Sequence, residues 1–252
     1  MSYSIESITE SIGARRMGNA PATIDWLLTD SRSLNFPEET LFFALTTKRN
    51  DGARYIADLY ARGVRNFVLS EESFRLMDNG QLTIDNAMQR DDAQSIVNYL
   101  IVPNPLKALQ KLAEQHRNRF QIPVIGITGS NGKTVVKEWL HQLLSPERAI
   151  IRSPRSYNSQ IGVPLSVWQM NEQSELAIFE AGISEPGEMR ALQNIIKPTI
   201  GILTNIGGAH QENFFSLQEK CMEKLTLFKN CDVVIYNCLL YTSDAADDLT
   251  RV

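Results

Sequence analysis

The segment VIGITGSNGKTVVKEW, residues 124–139, runs from an apolar strand through a glycine-rich loop into a helix pattern. No other stretch constrains the chain as strongly, because strand, glycine loop and helix in that order form the phosphate-binding unit of parallel α/β sheets. The spacing is unusual. The common pattern G-x-x-x-x-G-K-[ST] requires a glycine at position 127, where this chain has Ile127, and the glycines are Gly126, Gly129 and Gly132. The chemistry of the parts is unaffected. Glycines let several backbone N–H groups approach one anion, and the helix offers its positive N-terminal end. Lys133 is placed to reach the β- and γ-phosphates of a nucleotide, and the Thr134 hydroxyl to ligate Mg²⁺. The competing reading is an incidental Gly-Lys-Thr in a turn; the position of the flanking strand and helix argues against it.

Around this loop the pattern is α/β throughout. Ile5, Ile8 and Ile12 predict a short helix, 39–47 and 65–70 strands, and 53–63 a helix stopped by Gly63. The proline- and asparagine-containing run 101–110 is the best boundary, dividing the chain into 1–103 and 104–237. A helix is expected at 105–119. Strands are expected at 123–128, 148–152, 176–181, 199–205 and 232–236, with helices at 132–144, 159–170, 186–196 and 216–229. Apolar strands alternating with amphipathic helices imply a doubly wound parallel sheet. The 252 residues carry a net charge of −4, which gives no reason to expect nucleic acid or an anionic membrane as partner. No apolar run reaches the roughly 18 residues of a membrane span. Three cysteines without metal-like spacing fit a reduced, cytoplasmic protein.

Three further residues fall where ligands bind in such sheets. Glu180 ends the apolar strand LAIFEAG and is either a Mg²⁺-binding carboxylate or a strand-end acid facing solvent. His210 follows another apolar strand and a Gly-Gly turn. Lys224 lies within a stripe of Leu217, Cys221, Leu225 and Phe228 at helical spacing. A lysine there must snorkel, pair or be chemically altered, and periodicity alone favours snorkelling.

Together these segments resemble the Mur ligases, the ATP-dependent amide-bond ligases of peptidoglycan precursor synthesis. GITGSNGKT is similar to the family's G-x-T-G-[ST]-x-G-K-T loop, which accounts for the shifted glycine. SYNSQIGVPLS, FEAGISEPGEM and LTNIGGAHQENFFSLQEKCMEKLTLF resemble, in order, segments of the branch that adds D-alanyl-D-alanine. LLTDSRSLNFPEETLFFALTTKRNDGARYI resembles the uridine-nucleotide segments of the first domain. The resemblance implies a small N-terminal α/β domain for the UDP substrate, followed by an incomplete P-loop-type parallel-sheet domain for ATP. It assigns Gly129, Ser130, Asn131, Gly132, Lys133 and Thr134 to ATP. Thr134, Glu180 and His210 would serve Mg²⁺, together with Lys224 as the lysine carbamylated in many Mur ligases. Ser31 and Arg32 would hold the uridine nucleotide, and Asn158 would lie near substrate or phosphates.

The implied reaction phosphorylates the terminal carboxylate of UDP-MurNAc-tripeptide with ATP and then couples the acyl phosphate to the amine of D-alanyl-D-alanine. Lys133, Lys224 and His210 are the residues implicated in catalysis. Alternatives are another Mur or folylpolyglutamate-type ligase, a non-catalytic nucleotide-binding module, and a simple P-loop hydrolase. Thr47 and Gln211 depart from the family's usual Gly and Leu. Some segments resemble versions fused ahead of an alanine racemase. The likeness ends near Asn237, and 238–252, CLLYTSDAADDLTRV, reads as a non-native tail similar to translated sequencing adapter on a truncated chain.

Overall fold

In a computed structural model, residues 1–46, 51–78, 96–207 and 213–237 are described. The chain divides into two compact units, Met1–Leu112 and Ala113–Val252.

The first unit contains strands β1 (Tyr3–Ser4), β2 (Arg15–Met17), β3 (Thr23–Ile24), β4 (Trp26–Leu28), β5 (Thr40–Phe43), β6 (Asn66–Ser70) and β7 (Asn98–Val102), with helices α1 (Ile5–Ile12), α2 (Ile56–Ala61) and α3 (Glu71–Asp78). Its five-stranded sheet has the order β2-β7-β6-β5-β4, parallel except for β2, and β1 pairs separately with β3. The expected first helix forms for local reasons. Ser4 caps it by accepting from the Ser7 amide, Ile5, Ile8 and Ile12 are all buried, and left-handed Gly13 ends it. All four residues of β5 are buried, as a strand flanked by parallel neighbours requires. The helix expected at 53–63 instead begins as a 3-10 turn, Gly52–Tyr55, because the Asp51 carboxylate accepts from the Ala53 amide and tightens the entry.

Helix α4 (Pro105–Arg117) leads into the second unit. That unit contains β8 (Val124–Thr128), α5 (Lys133–Leu144), β9 (Ile150–Arg152), α6 (Gly162–Val167), β10 (Leu176–Glu180), α7 (Glu188–Ile196), β11 (Ile200–Leu203), α8 (Leu217–Leu225), the 3-10 turn Thr226–Phe228 and β12 (Val233–Tyr236). The sheet has the order β12-β11-β8-β10-β9 and is parallel throughout, as the alternation of strands and helices implied. Side chains alternate across it. Ile125, Ile127, Leu176 and Ile178 face Val136, Leu140 and Leu144 of α5. Val124, Ala177 and Phe179 join the cluster of Val163 and Val167 from α6, Met189, Leu192, Ile195 and Ile196 from α7, and Leu227 and Phe228. The sheet is therefore covered on both faces. β12 differs from expectation: its four residues, Val233–Tyr236, are exposed, at the edge of the sheet where the strand pairs with β11.

His116 lies in this core, 2% exposed, between the rings of Trp168 and Phe120, with its Nε2 3.0 Å from the Met170 carbonyl oxygen. Burial pushes its pKa down to about 4, opposed by the Met170 hydrogen bond. The folded state thus prefers the neutral ring, whereas the unfolded chain protonates it near 6.5. Stability from this group is complete above about pH 6.5 and is lost as pH falls towards 4, by on the order of 3 kcal/mol. Denaturant unfolding of the wild type at pH 7.5 and 4.5 should show a steeper loss than His116→Gln, which cannot take up the proton. Equal slopes would exclude this role.

Candidate active site

Strands β8, β10 and β11 set three groups at one edge of the sheet. Glu180 pairs in register with Ile127, and Leu203 with Thr128, so the chain after Thr128, the carboxylate of Glu180 and the segment after Leu203 all emerge at the carboxyl ends of the strands. β8 lies between β10 and β11, which makes this edge the point where chain order reverses.

The loop after Thr128 is held by the segment after Leu203. The Ser130 amide donates to the Asn205 carbonyl at 2.8 Å, and the Asn131 amide to Asn205 Oδ1 at 2.8 Å. Thr204 Oγ1 donates to the Asn131 carbonyl at 2.6 Å. Ser130 Oγ donates to the Gly207 carbonyl at 3.1 Å and accepts from the Gly207 amide at 2.9 Å. Gly129 has φ +145°, and a Cβ there would stand 2.0 Å from Thr204 Oγ1, so only glycine permits this approach. Left-handed Gly132 then opens α5. With the Ser130 and Asn131 amides engaged by Asn205, the donors left for an anion include the amides of Gly132, Lys133 and Thr134, which open α5 and have no acceptor within the helix.

Lys133 Nζ folds back onto the Gly129 carbonyl at 2.9 Å. Burial lowers its pKa, with the Glu180 charge opposing. Lys224 Nζ donates to the same carbonyl at 3.2 Å. Burial pushes Lys224 down to about 8, reinforced by the charges of Lys133 and Lys220. Lys224 therefore does not snorkel: it is 3% exposed. The inward face of α8 is also not the expected apolar stripe. Leu217 and Leu225 are exposed, and Lys220 and Lys224 take the buried positions ahead of Leu227 and Phe228.

Glu180 is fully buried, which rules out the solvent-facing alternative. Its Oε2 accepts from Thr134 Oγ1 at 3.1 Å and from Asn158 Nδ2 at 3.5 Å. Lys137 Nζ lies 2.9 Å from Oε1, an ion-pair distance, although Oε1 receives no well-directed hydrogen bond. The carboxylate with the Thr134 hydroxyl at its Oε2 fits a small hard cation that keeps waters and phosphate oxygens as its other ligands. The set thus fits Mg²⁺.

Of the residues expected from sequence, Gly129, Ser130, Asn131, Gly132, Lys133, Thr134, Asn158, Glu180 and Lys224 converge here. His210 lies outside the described residues. Ser31 and Arg32 belong to the first unit, in the 3-10 turn Ser31–Ser33. There Asp30 accepts from the Arg32 amide and binds its guanidinium at 2.6 Å, leaving the Arg32 side chain 88% exposed. Sequence reasoning missed Lys137, Asn205 and Lys220. Lys137 follows Lys133 and Thr134 by four and three positions, hence on one helix face, and Lys220 precedes Lys224 by four.

Lys137 has no exposed side-chain surface and also donates to the carbonyls of Ser153, at 2.8 Å, and Arg155. Lys137→Met strands the Glu180 charge in the interior and should cost about 3–5 kcal/mol in chemical denaturation, whereas adding Glu180→Gln should restore a large part. A double variant no more stable than Lys137→Met would refute the pairing.

Comparison with known proteins supplies the family. Residues 127–247 match the Mur ligase middle domain, a span that continues past Asn237. The UDP-N-acetylmuramoyl-tripeptide–D-alanyl-D-alanine ligase of Borreliella burgdorferi is 33% identical over 222 residues, covering 87% of this chain and 46% of the relative. The ligase of the same name from Rickettsia prowazekii is 34% identical over 200 residues, 78% of this chain and 40% of the relative. The chain spans less than half the length of these curated relatives. Among solved structures, MurF from Acinetobacter baumannii has a TM-score of 0.78 over 98% of this chain and 52% of its own, at 22% identity, a likeness of fold. MurF from Thermotoga maritima in complex with ADP has a TM-score of 0.68 at 25% identity, over 90% of this chain and 47% of its own. Neither the domain match nor the relatives' names carries an alanine racemase. Residues 127–247 thus belong to the Mur ligase middle-domain family.

Proposed function

We propose that this chain is the substrate- and ATP-binding part of a cytoplasmic ligase that adds D-alanyl-D-alanine to UDP-MurNAc-tripeptide. The observation that carries the reading is the convergence of Lys133, Thr134, Glu180 and Lys224 on one phosphate loop. The relatives' names and the ADP complex of the Thermotoga maritima structure support the choice of nucleotide and acceptor.

The chain's own groups have defined tasks. The amides of Gly132, Lys133 and Thr134 receive the phosphates, and Lys133 exchanges the Gly129 carbonyl for a phosphate oxygen. Thr134 and Glu180 would hold Mg²⁺, with Lys224 joining them if carbamylated, and the ion would offset phosphate charge. Carbamylation requires a neutral amine, and a pKa of about 8 leaves Lys224 a usable neutral fraction near neutrality. Asn158, which donates to Glu180, would lie near the substrate or the phosphates. That carboxylate attacks the γ-phosphorus of ATP and ADP leaves. The amine of D-alanyl-D-alanine then attacks the acyl carbon, phosphate departs, and the amine proton is released. In the first unit, Ser31 and the exposed Arg32 would bind the uridine nucleotide. No helix among the described residues is long and apolar enough to cross a membrane.

With the full-length protein, ATP and UDP-MurNAc-tripeptide, phosphate release should depend on D-alanyl-D-alanine and not on meso-diaminopimelate. Turnover with the single amino acid alone would assign a different branch, and nucleotide binding without acceptor-dependent release would indicate a binding module. Lys133→Ala should lower kcat/KM by at least about 100-fold. Lys224→Ala should also lose activity, recoverable by a short-chain carboxylic acid and not by bicarbonate; unchanged turnover would remove the carbamate.

A further inference from the structure

Lys220 is a buried cation to which the proposed chemistry gives no task. Lys220 is 1% exposed, yet its side chain ends at the phosphate-loop strap: Nζ donates to the Gly207 carbonyl at 2.5 Å. That carbonyl also accepts from Ser130 Oγ, and the Gly207 amide donates back to the same hydroxyl. Lys220 and the loop thus share one backbone group. The α8 face that carries Lys220 also carries Lys224, whose Nζ holds the Gly129 carbonyl at the other end of the loop. Two lysines one helical turn apart therefore grip the cradle at two points.

An ammonium withdrawn from water costs several kcal/mol unless its surroundings repay it, and an apolar residue would fill the position more cheaply. Lys133 adds positive charge nearby, its Nζ on the Gly129 carbonyl at 2.9 Å. Lys220 and Lys133 thus carry charge of the sign that favours a polyphosphate in the loop they help to fix.

We propose that Lys220 is a positioning residue for nucleotide binding. It holds the Gly207 carbonyl so that the strap 204–207 keeps the loop in the form whose open donors are Gly132, Lys133 and Thr134. Lys220 acts through Gly207 and Ser130. The assignment rests on the ATP-site reading above.

The test is a double-mutant cycle on ADP affinity in the full-length protein, measured by calorimetry. Lys220→Met should weaken ADP about tenfold and raise KM for ATP in step, with kcat at saturating ATP within about twofold. Lys220→Arg, which keeps charge and donor, should stay within about threefold. Ser130→Ala breaks the same tie from the loop side, so combining it with Lys220→Met should weaken ADP less than the product of the single effects. Lys220→Gln takes the place of Lys220→Met in the cycle if the latter does not fold. A lowered melting temperature with ADP affinity unchanged would make Lys220 purely structural and overturn the inference, as would multiplicative single effects. Failure of the wild type to bind ADP would overturn the ATP-site reading and this inference with it.

Discussion

A carboxylate sealed from water must be matched, and Glu180 organises the carboxyl edge of the second sheet because of it. One oxygen is paired with Lys137, the other accepts from Thr134 and Asn158. Lys137 in turn fixes the Ser153 and Arg155 carbonyls, so the chain after β9 is anchored to the same charge. The matching is incomplete, since Oε1 lacks a well-directed hydrogen bond. A buried pair of this kind contributes little net stability but penalises any other arrangement heavily. Here it fixes where Thr134, and hence the first turn of α5, stands relative to β10. The loop inherits its geometry from an ion pair on a helix and a strand, which are stiffer supports than the loop itself.

What was legible in the sequence follows from what is local. The phosphate loop, the parallel order of the second sheet and helix α1 are written in short segments whose glycines, caps and periodicities act on their immediate neighbours. What escaped depends on distant partners. β2 is three residues with two arginines, and it is a strand only because Tyr99–Ile101 of β7 pairs with it. The buried face of α8 was misread because periodicity counts apolar side chains. Lys220 and Lys224 take the inward positions by donating to Gly207 and Gly129, which no hydropathy pattern announces. The same holds for Lys137: the sequence places it on the face of Lys133 and Thr134, but its burial is decided by Glu180, more than forty residues away.

The shifted glycine that marked the chain at the outset has a packing cause. Gly126 is not part of the loop. It lies inside β8, paired in register with Phe179 on one side and Gly201 on the other. A Cβ on Gly126 would meet Pro198 at 2.8 Å and Leu227 at 3.5 Å, and one on Gly201 would meet the Phe228 ring at 2.4 Å. Two adjacent strands thus lose their side chains side by side, leaving a shallow recess that receives the 3-10 turn Thr226–Phe228. That turn continues α8 directly, so its depth in the recess sets how far the helix can approach the sheet edge. Lys224, two residues before the turn, then reaches the Gly129 carbonyl across the same strand that Gly126 thins. The spacing of glycines from 126 to 132 serves two contacts at once: backbone against anion at the loop, and helix end against sheet beneath it.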